Sequence, residues 1–278
     1  MNDIYQFQIP TINGFNAKYY FALSQQIINA HNFPPHMHDD IEIYMLIEGD
    51  ASFMVEDNVY KLTAGDIVIS RPNEIHNCII NTDSVHLHNC FWINASCEFL
   101  FGGILSNKDG CANLISPSKE DKELIFSICD KLREASDKQQ SLRQFYLVLE
   151  LIDVIKGNVK NTTKRQSIPE ILTNILSDIN KHFTEINSMK YFTDKYRISQ
   201  STLNRLFKNH LNTSPKTYLE TKRLAYSRIL LGEGKTVFEA CMLSGFPDYS
   251  NYIRLFKKHT GVTPKQYQEK QKQKNTLG

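Results

Sequence analysis

The stretch Asn204-Arg205-Leu206-Phe207-Lys208-Asn209-His210 returns 49 residues later as Ile253-Arg254-Leu255-Phe256-Lys257-Lys258-His259. The same register carries Ser214-Pro215-Lys216-Thr217-Tyr218 onto Thr263-Pro264-Lys265-Gln266-Tyr267, and Ser201 onto Ser250. An offset kept over several motifs is an internal repeat of one structural unit. Ser199 and Asp248 are good N-caps and predict helices over 199–210 and 248–259. Helical periodicity turns Leu203, Leu206 and Phe207 inward in the first, and Tyr252, Leu255 and Phe256 in the second. Asn204, Arg205 and Lys208 then share the outer face of one helix, and Ile253, Arg254 and Lys257 that of the other.

Ser214-Pro215 and Thr263-Pro264 place a hydroxyl at an N-cap and proline at the first helical position, so a new helix starts in each copy. The first runs from Pro215 to Leu231 and would be a rigid spacer between the copies. A shorter helix and a tight turn precede each outer-faced helix, over 189–196 and over 237–244, the latter followed by Gly245-Phe246. Helix, short turn and helix with a polar outer face is the arrangement that enters the major groove of DNA. Arg205 and Arg254 suit a guanine edge and Asn204 an adenine. Ser201, Lys208 and Lys257 suit bases or phosphates. Two copies in one chain imply two successive groove contacts, about 34 Å apart. A plain helical bundle with surface lysines is the alternative, and the coincidence of caps, turns, basic faces and repeat argues against it.

The charge agrees. The whole chain carries a net +2. Residues 1–167 hold 14 Lys+Arg against 21 Asp+Glu, and residues 168–278 hold 18 against 9, so the halves balance at −7 and +9. The basic half suits a polyanion. With 41% hydrophobic and 22% charged residues the composition is that of a globular protein. No apolar run is long enough to span a bilayer, and Met1-Asn2-Asp3-Ile4-Tyr5 does not open a signal peptide. The six cysteines (Cys78, Cys90, Cys97, Cys111, Cys129, Cys241) form no Cys-x-x-Cys pair, which predicts reduced thiols in a cytoplasmic protein.

From Tyr19 to Ile93 the pattern is short and alternating. Ile41, Ile43, Met45 and Ile47 interleave with Glu42, Tyr44, Leu46 and Glu48. Turn residues fall at Glu48-Gly49-Asp50, Glu56-Asp57-Asn58, Ala64-Gly65-Asp66 and Arg71-Pro72-Asn73. This predicts an antiparallel sandwich or barrel. After Pro117 the period becomes helical (Leu124, Ile125, Ile128, Leu132, then Leu142, Phe145, Tyr146, Leu149, Ile152, Val154, Ile155), predicting two amphipathic helices joined near 136–138. The expected fold class is α+β: an N-terminal barrel with two helices over 1–157, a linker over 158–167, and an all-α domain with two helix-turn-helix units over 168–278. The polar tail from Gln268 is expected to fray.

Residues 171–271 resemble the DNA-binding domain of the AraC/XylS family of bacterial regulators. The resemblance rests on 201–208, on Lys222-Arg223-Leu224-Ala225-Tyr226-Ser227-Arg228-Ile229-Leu230-Leu231, on Gly245-Phe246-Pro247-Asp248-Tyr249-Ser250-Asn251-Tyr252 and on 254–267. It implies base-facing roles for Gln200, Ser201, Asn204 and Arg205 in the first unit, and for Tyr249, Ser250, Asn251, Ile253 and Arg254 in the second. Phe192 and Cys241 stand where the family usually has alanine, and Asn212 where it has glycine. The resemblance also implies a homodimer formed through the helices of 119–157, contact with RNA polymerase, and more often activation than repression.

In the front half His36-x-His38, then Glu42, then Gly49, followed by Gly65-Asp66, Pro72 and His76, resembles the motifs of cupin barrels. On strands His36, His38, Glu42 and His76 would face one cavity. Two readings compete. In the favoured one the barrel is free of metal and cofactor and binds a small effector, such as a sugar, with His36, His38, Glu42, Tyr44, His76 and Trp92. In the other, His36, His38, Glu42 and His76 hold a transition metal. His86 and His88, alternating on a later strand, read as outward or half-buried side chains. The function expected is an effector-switched transcription regulator acting on double-stranded promoter DNA at the bacterial nucleoid, not an enzyme. A metal-dependent cupin enzyme with a DNA-binding tail, or a barrel that only dimerises, are the alternatives.

Overall fold

The computed structural model describes residues 4–12, 15–24, 35–80, 85–106, 112–159 and 168–276. Of the described residues, one compact unit holds 4–24 and 38–159, and the other holds 35–37 and 168–276. The expected linker lies outside the described residues from 160 to 167.

The first unit is β-rich. Strands β1 (Ile4–Ile12), β2 (Phe15–Ser24), β3 (Asp40–Glu48), β4 (Ala51–Val55), β5 (Asn58–Lys61), β6 (Ile67–Ser70), β7 (His76–Ile80), β8 (His86–Asn94) and β9 (Leu114–Ile115) form two antiparallel sheets. The larger has the order β1-β2-β8-β3-β6-β9 and the smaller β5-β4-β7. The turns fall where the glycine, proline and acidic residues place them. The first strand does not appear in the alternating pattern, because Pro10 interrupts it. Proline gives a strand no ladder donor, and it is tolerated here because β1 is an edge strand whose register shifts between Ile9 and Ile12.

Strand β3 organises this unit. Alternate side chains leave a strand on opposite faces, and from Ile41 to Leu46 both faces are buried. Ile41, Ile43 and Met45 join a core with Phe91, Ile93 and the helices α1 (Lys119–Asp137) and α2 (Ser141–Gly157). Tyr44 and Leu46 point the other way, into a second core with Phe53, Val55 and Tyr60 of the smaller sheet. Glu42 shares that inner face, so a carboxylate enters the interior between the sheets.

The second unit is all helical: α3 (Glu170–His182), α4 (Lys190–Tyr196), α5 (Gln200–Leu211), α6 (Pro215–Gly232), α7 (Val237–Leu243), α8 (Tyr249–Thr260) and α9 (Pro264–Thr276). The tail does not fray at Gln268. Helix α9 continues to Thr276, because its glutamines and lysines are good helix formers and no glycine or proline interrupts them. The two copies differ in their turns. Gln200 and Tyr249 start the second helices 49 residues apart, but Lys190 and Val237 start the first helices 47 apart. The second copy therefore has two extra turn residues, and these admit Phe246 to the core of Leu224, Cys241, Tyr252 and Phe256.

Helix α6 is buried nearly all round, which is why it lacks a clear polar face. Tyr218 meets Phe207 of the first copy, ring centroids 5.9 Å apart, while Leu224, Leu230 and Leu231 belong to the core of the second. Arg223 is buried and donates from Nε to the Phe183 carbonyl (2.8 Å) and from Nη2 to the Ile186 carbonyl (2.6 Å). A cation next to the C-terminal carbonyls of α3 is favoured by their partial negative charge. The same loop closes on Gly245, where a β-carbon would lie 2.4 Å from the Thr184 carbonyl oxygen, at φ +84°.

Gly245→Ala therefore adds a backbone clash to left-handed strain and is expected to cost roughly 2–5 kcal/mol in denaturant unfolding of the helical unit. Gly261→Ala, at φ +77° but with open space around the new methyl, carries only the backbone term of about 1 kcal/mol. Equal costs for the two variants would refute the close-approach argument.

Candidate functional site

Two surfaces carry chemistry, one in each unit. The first is the pair of outward faces on α5 and α8. Ser199 Oγ accepts from the Thr202 amide (3.1 Å) and Asp248 Oδ1 from the Asn251 amide (2.6 Å), so both helices are capped at the end that bears the polar residues. Gln200, Ser201, Asn204, Arg205 and Lys208 are exposed on α5, as are Tyr249, Ser250, Arg254 and Lys257 on α8. Asn251 is half-buried. Ile253 is half-buried too and packs on the core beneath it, which differs from a fully outward position. Leu206, expected inward, is only half-buried, and Leu211 completes the buried stripe.

Local hydrogen bonds orient several of these groups. Gln200 Nε2 donates to Asn204 Oδ1 (3.1 Å) and Arg254 Nη2 to Asn251 Oδ1 (2.7 Å). Lys208 Nζ donates to Asn212 Oδ1 (3.0 Å). Asn212 ends α5 in the left-handed region at φ 53°, where Gly261 ends α8. The substituted asparagine thus still caps the helix and draws Lys208 toward its C-terminal end. Guanidinium forks, amides and one aliphatic side chain are the groups that read guanine, adenine and thymine methyl edges.

The second surface is the inner face of the barrel near one end. Glu42 is 5% exposed. Its Oε2 accepts from Trp92 Nε1 at 2.7 Å and lies 2.9 Å from His38 Nε2 and 3.4 Å from His76 Nε2. Both imidazoles are tied behind: His38 Nδ1 donates to the Asp40 carbonyl (2.9 Å) and His76 Nδ1 to the Glu74 carbonyl (2.8 Å). Glu74 is itself fixed by Arg71, whose Nη1 meets its Oε1 at 2.8 Å and whose Nε and Nη2 donate to the Leu105 and Ile104 carbonyls. Donor atoms of His36, His38, Glu42 and His76 all lie within 4.8 Å of one another. Burial pushes the Glu42 carboxyl up, but His76 and His38 outweigh it and hold it well below the usual carboxylate range. Burial pushes His76 down, and Glu42 more than reverses it, so His76 is raised.

Of the residues singled out for an effector, His38, His76 and Trp92 meet the Glu42 carboxylate, and Tyr44 lies one step further along β3; His36 falls in the segment that groups with the helical unit. Beside Tyr44 the structure corrects the reading of His86, which is buried, while His88 is half-buried as expected. His86 is buried and its Nε2 lies 2.9 Å from the Tyr44 hydroxyl, while His88 stacks on the Tyr44 ring at 5.2 Å. Outward placement fails because β8 runs beside β3 and turns its even-numbered residues to the same inner face as Tyr44. Trp92 shares their parity, and that was the sequence signal available for them.

Burial lowers His86 to about 4; it also lowers His88, helped by His86 nearby, to about 3. Both folded values are below the unfolded value near 6.5, so the unfolded chain binds the extra protons. Stability of the first unit is expected to be complete above about pH 6.5 and to fall by roughly a few kcal/mol toward pH 4. Thermal unfolding across that window measures it, and His86→Gln should flatten the slope. An unchanged slope would mean that His86 does not contribute to it.

Comparison with known proteins assigns both halves. Residues 18–107 match the AraC-like ligand binding domain, and residues 192–270 a helix-turn-helix domain. Over 225 residues the chain is 25% identical to YbfI of Bacillus subtilis, named an uncharacterized HTH-type transcriptional regulator, covering 79% of this chain and 81% of that protein. Over 235 residues it is 23% identical to the HTH-type transcriptional activator RhaS of Escherichia fergusonii, covering 79% and 82%. Among solved structures ToxT of Vibrio cholerae is 16% identical with a TM-score of 0.36, covering 91% of this chain and 96% of that one. With a ligand-binding domain of that type in front of a helix-turn-helix domain, the chain belongs to the AraC/XylS family of DNA-binding transcription regulators.

Proposed function

We propose that the chain is an activator of transcription that reads promoter DNA with α5 and α8 and is switched by a small molecule, such as a sugar, held in its barrel. The observation that carries the reading is the pair of capped, exposed faces bearing Arg205 and Arg254 at equivalent positions of a repeat. Gln200, Ser201, Asn204, Arg205 and Lys208 read one groove; Tyr249, Ser250, Asn251, Ile253, Arg254 and Lys257 read the next. His36, His38, Glu42, Tyr44, His76 and Trp92 form the sensing site. The chain is not an enzyme in this reading. It works at the bacterial nucleoid and contacts RNA polymerase there. Among the described residues no helix is long and apolar enough to cross a membrane.

The protein acts as a homodimer through α1 and α2. Their apolar stripes exceed what the core takes up, leaving Leu142 58% and Tyr146 60% exposed on neighbouring turns of α2.

The test is footprinting of the full chain on its own upstream promoter region at two salt concentrations, with Arg205→Ala and Arg254→Ala. Protection of two adjacent grooves is expected, each variant losing roughly 1–3 kcal/mol at its own half of the site. Binding that falls steeply with salt and ignores both arginines would leave only a phosphate-binding surface. For the dimer, Tyr146→Glu is expected to shift sedimentation from two chains to one. A wild-type protein that sediments as a monomer at micromolar concentration would remove this part of the reading.

A further inference from the structure

We infer that the two copies of the repeat select different bases, adenine under α5 and guanine under α8, and that Gln200 and Asn251 are the positioning residues that set the difference. Such selection rests on the reading of DNA by α5 and α8 proposed above. The two helices align at an offset of 49 residues, so each position of one has a counterpart in the other. On α5, Gln200 Nε2 donates to Asn204 Oδ1 (3.1 Å). The counterparts on α8 are Tyr249 and Ile253, which have no side-chain amide to pair. On α8, Arg254 Nη2 donates to Asn251 Oδ1 (2.7 Å). The counterparts on α5 are Arg205 and Thr202, and the Thr202 hydroxyl is engaged with Ser199 Oγ (2.9 Å). One helix therefore holds an amide in place and the other a guanidinium.

Each tie leaves the reading edge of its partner open. Asparagine reads adenine by accepting from N6 at Oδ1 and donating to N7 from Nδ2. Gln200 takes one of the two lone pairs on Oδ1, which fixes the sense of the amide and leaves the other lone pair and both Nδ2 hydrogens. A guanidinium has five donors and needs two on one edge for O6 and N7 of guanine. Asn251 takes one Nη2 hydrogen, which leaves one two-donor edge of the fork for the base. Asn251 is itself rooted: it is half-buried, and its backbone N–H donates to the Asp248 cap. Gln200, Asn204 and Arg254 are exposed on the N-terminal half of each helix, the part of a recognition helix that meets base edges. Holding a side chain before DNA arrives removes the ordering cost from the binding step. Thr202 offers Arg205 no amide oxygen, so Arg205 adds affinity with less choice of base.

The experiment selects bound duplexes from a randomised DNA library with the full chain, sequences them, and repeats the selection with variants. The wild-type protein is expected to prefer adenine at a position in the half under α5 and guanine at a position in the half under α8. Asn204→Ala and Arg254→Ala should each remove the preference of their own half, a loss of roughly 5–150-fold. Gln200→Ala should weaken the adenine preference, and Asn251→Ala the guanine preference, by the roughly 2–10-fold that ordering one side chain costs. Asn251→Asp keeps an acceptor for Arg254 and should restore the guanine preference. A guanine preference that Arg254→Ala abolishes and Asn251→Ala leaves intact overturns the positioning role, as does an Asn251→Ala protein that binds every sequence equally more weakly. The same base selected under both helices overturns the asymmetry. Preferences that Asn204→Ala and Arg254→Ala both leave unchanged overturn the reading of DNA by α5 and α8 itself.

Discussion

The helical unit depends on a constraint placed on α6, which has to satisfy two cores at once. Its Tyr218 packs with the first helix-turn-helix copy, and its Leu224, Leu230 and Leu231 with the second. A rotation that improved one interface would open the other, so the helix has one acceptable orientation. The buried Arg223 adds a directional lock, because its two hydrogen bonds to the Phe183 and Ile186 carbonyls can be kept in that orientation only. Leaving a buried guanidinium without those acceptors costs more than the bonds contribute. Gly245 tightens the same joint by letting the second turn reach the backbone of Thr184. The relative placement of α5 and α8 follows from these contacts and not from either helix alone.

A similar division of labour holds in the barrel. The inner face of β3 and β8 carries Tyr44 and Leu46 between two polar groups, Glu42 with its partners on one side and His86 with His88 on the other. Around Glu42 the polar groups hold one another: the carboxylate is held by Trp92, the imidazoles by carbonyls, and Glu74 by Arg71. Preorganised polar groups against an apolar wall are the general form of a recognition site. The cost is a set of buried charges that hold together only as a group. This is why Glu42 and His76 shift in opposite directions, each favouring the charged form of the other.

The two helix-turn-helix copies share an outward polar face and differ in its support. Asn212 ends α5 and takes a hydrogen bond from Lys208; Gly261 ends α8 and leaves Lys257 on an open last turn. The second turn is two residues longer and buries Phe246, whereas the first passes through Arg197 at φ 51°. Phe192 and Cys241, both larger than the alanine usual in the family, are fully buried and fill the space that the short first helix of each copy leaves.

Much of this was legible in the residues themselves. Caps, proline at the first helical position and 3.6-residue periodicity are local, so Ser199, Asp248, Ser214-Pro215 and the outward faces of α5 and α8 could be read directly. The strand-rich front half and its turns were equally local. What the sequence could not carry was partnership between distant segments. Parity placed His86 and His88 on the face of Trp92, but whether that face met solvent or Tyr44 depended on β8 lying beside β3. The convergence of His38 and His76, 38 residues apart, on Glu42 required the two sheets to face one another. Nothing local to Arg223 marks it for burial; the Phe183 and Ile186 carbonyls that hold it come from elsewhere in the chain. Local chemistry sets which residues can cap, turn and read; only the tertiary packing decides which polar groups are enclosed together, because enclosure depends on what comes from elsewhere in the chain.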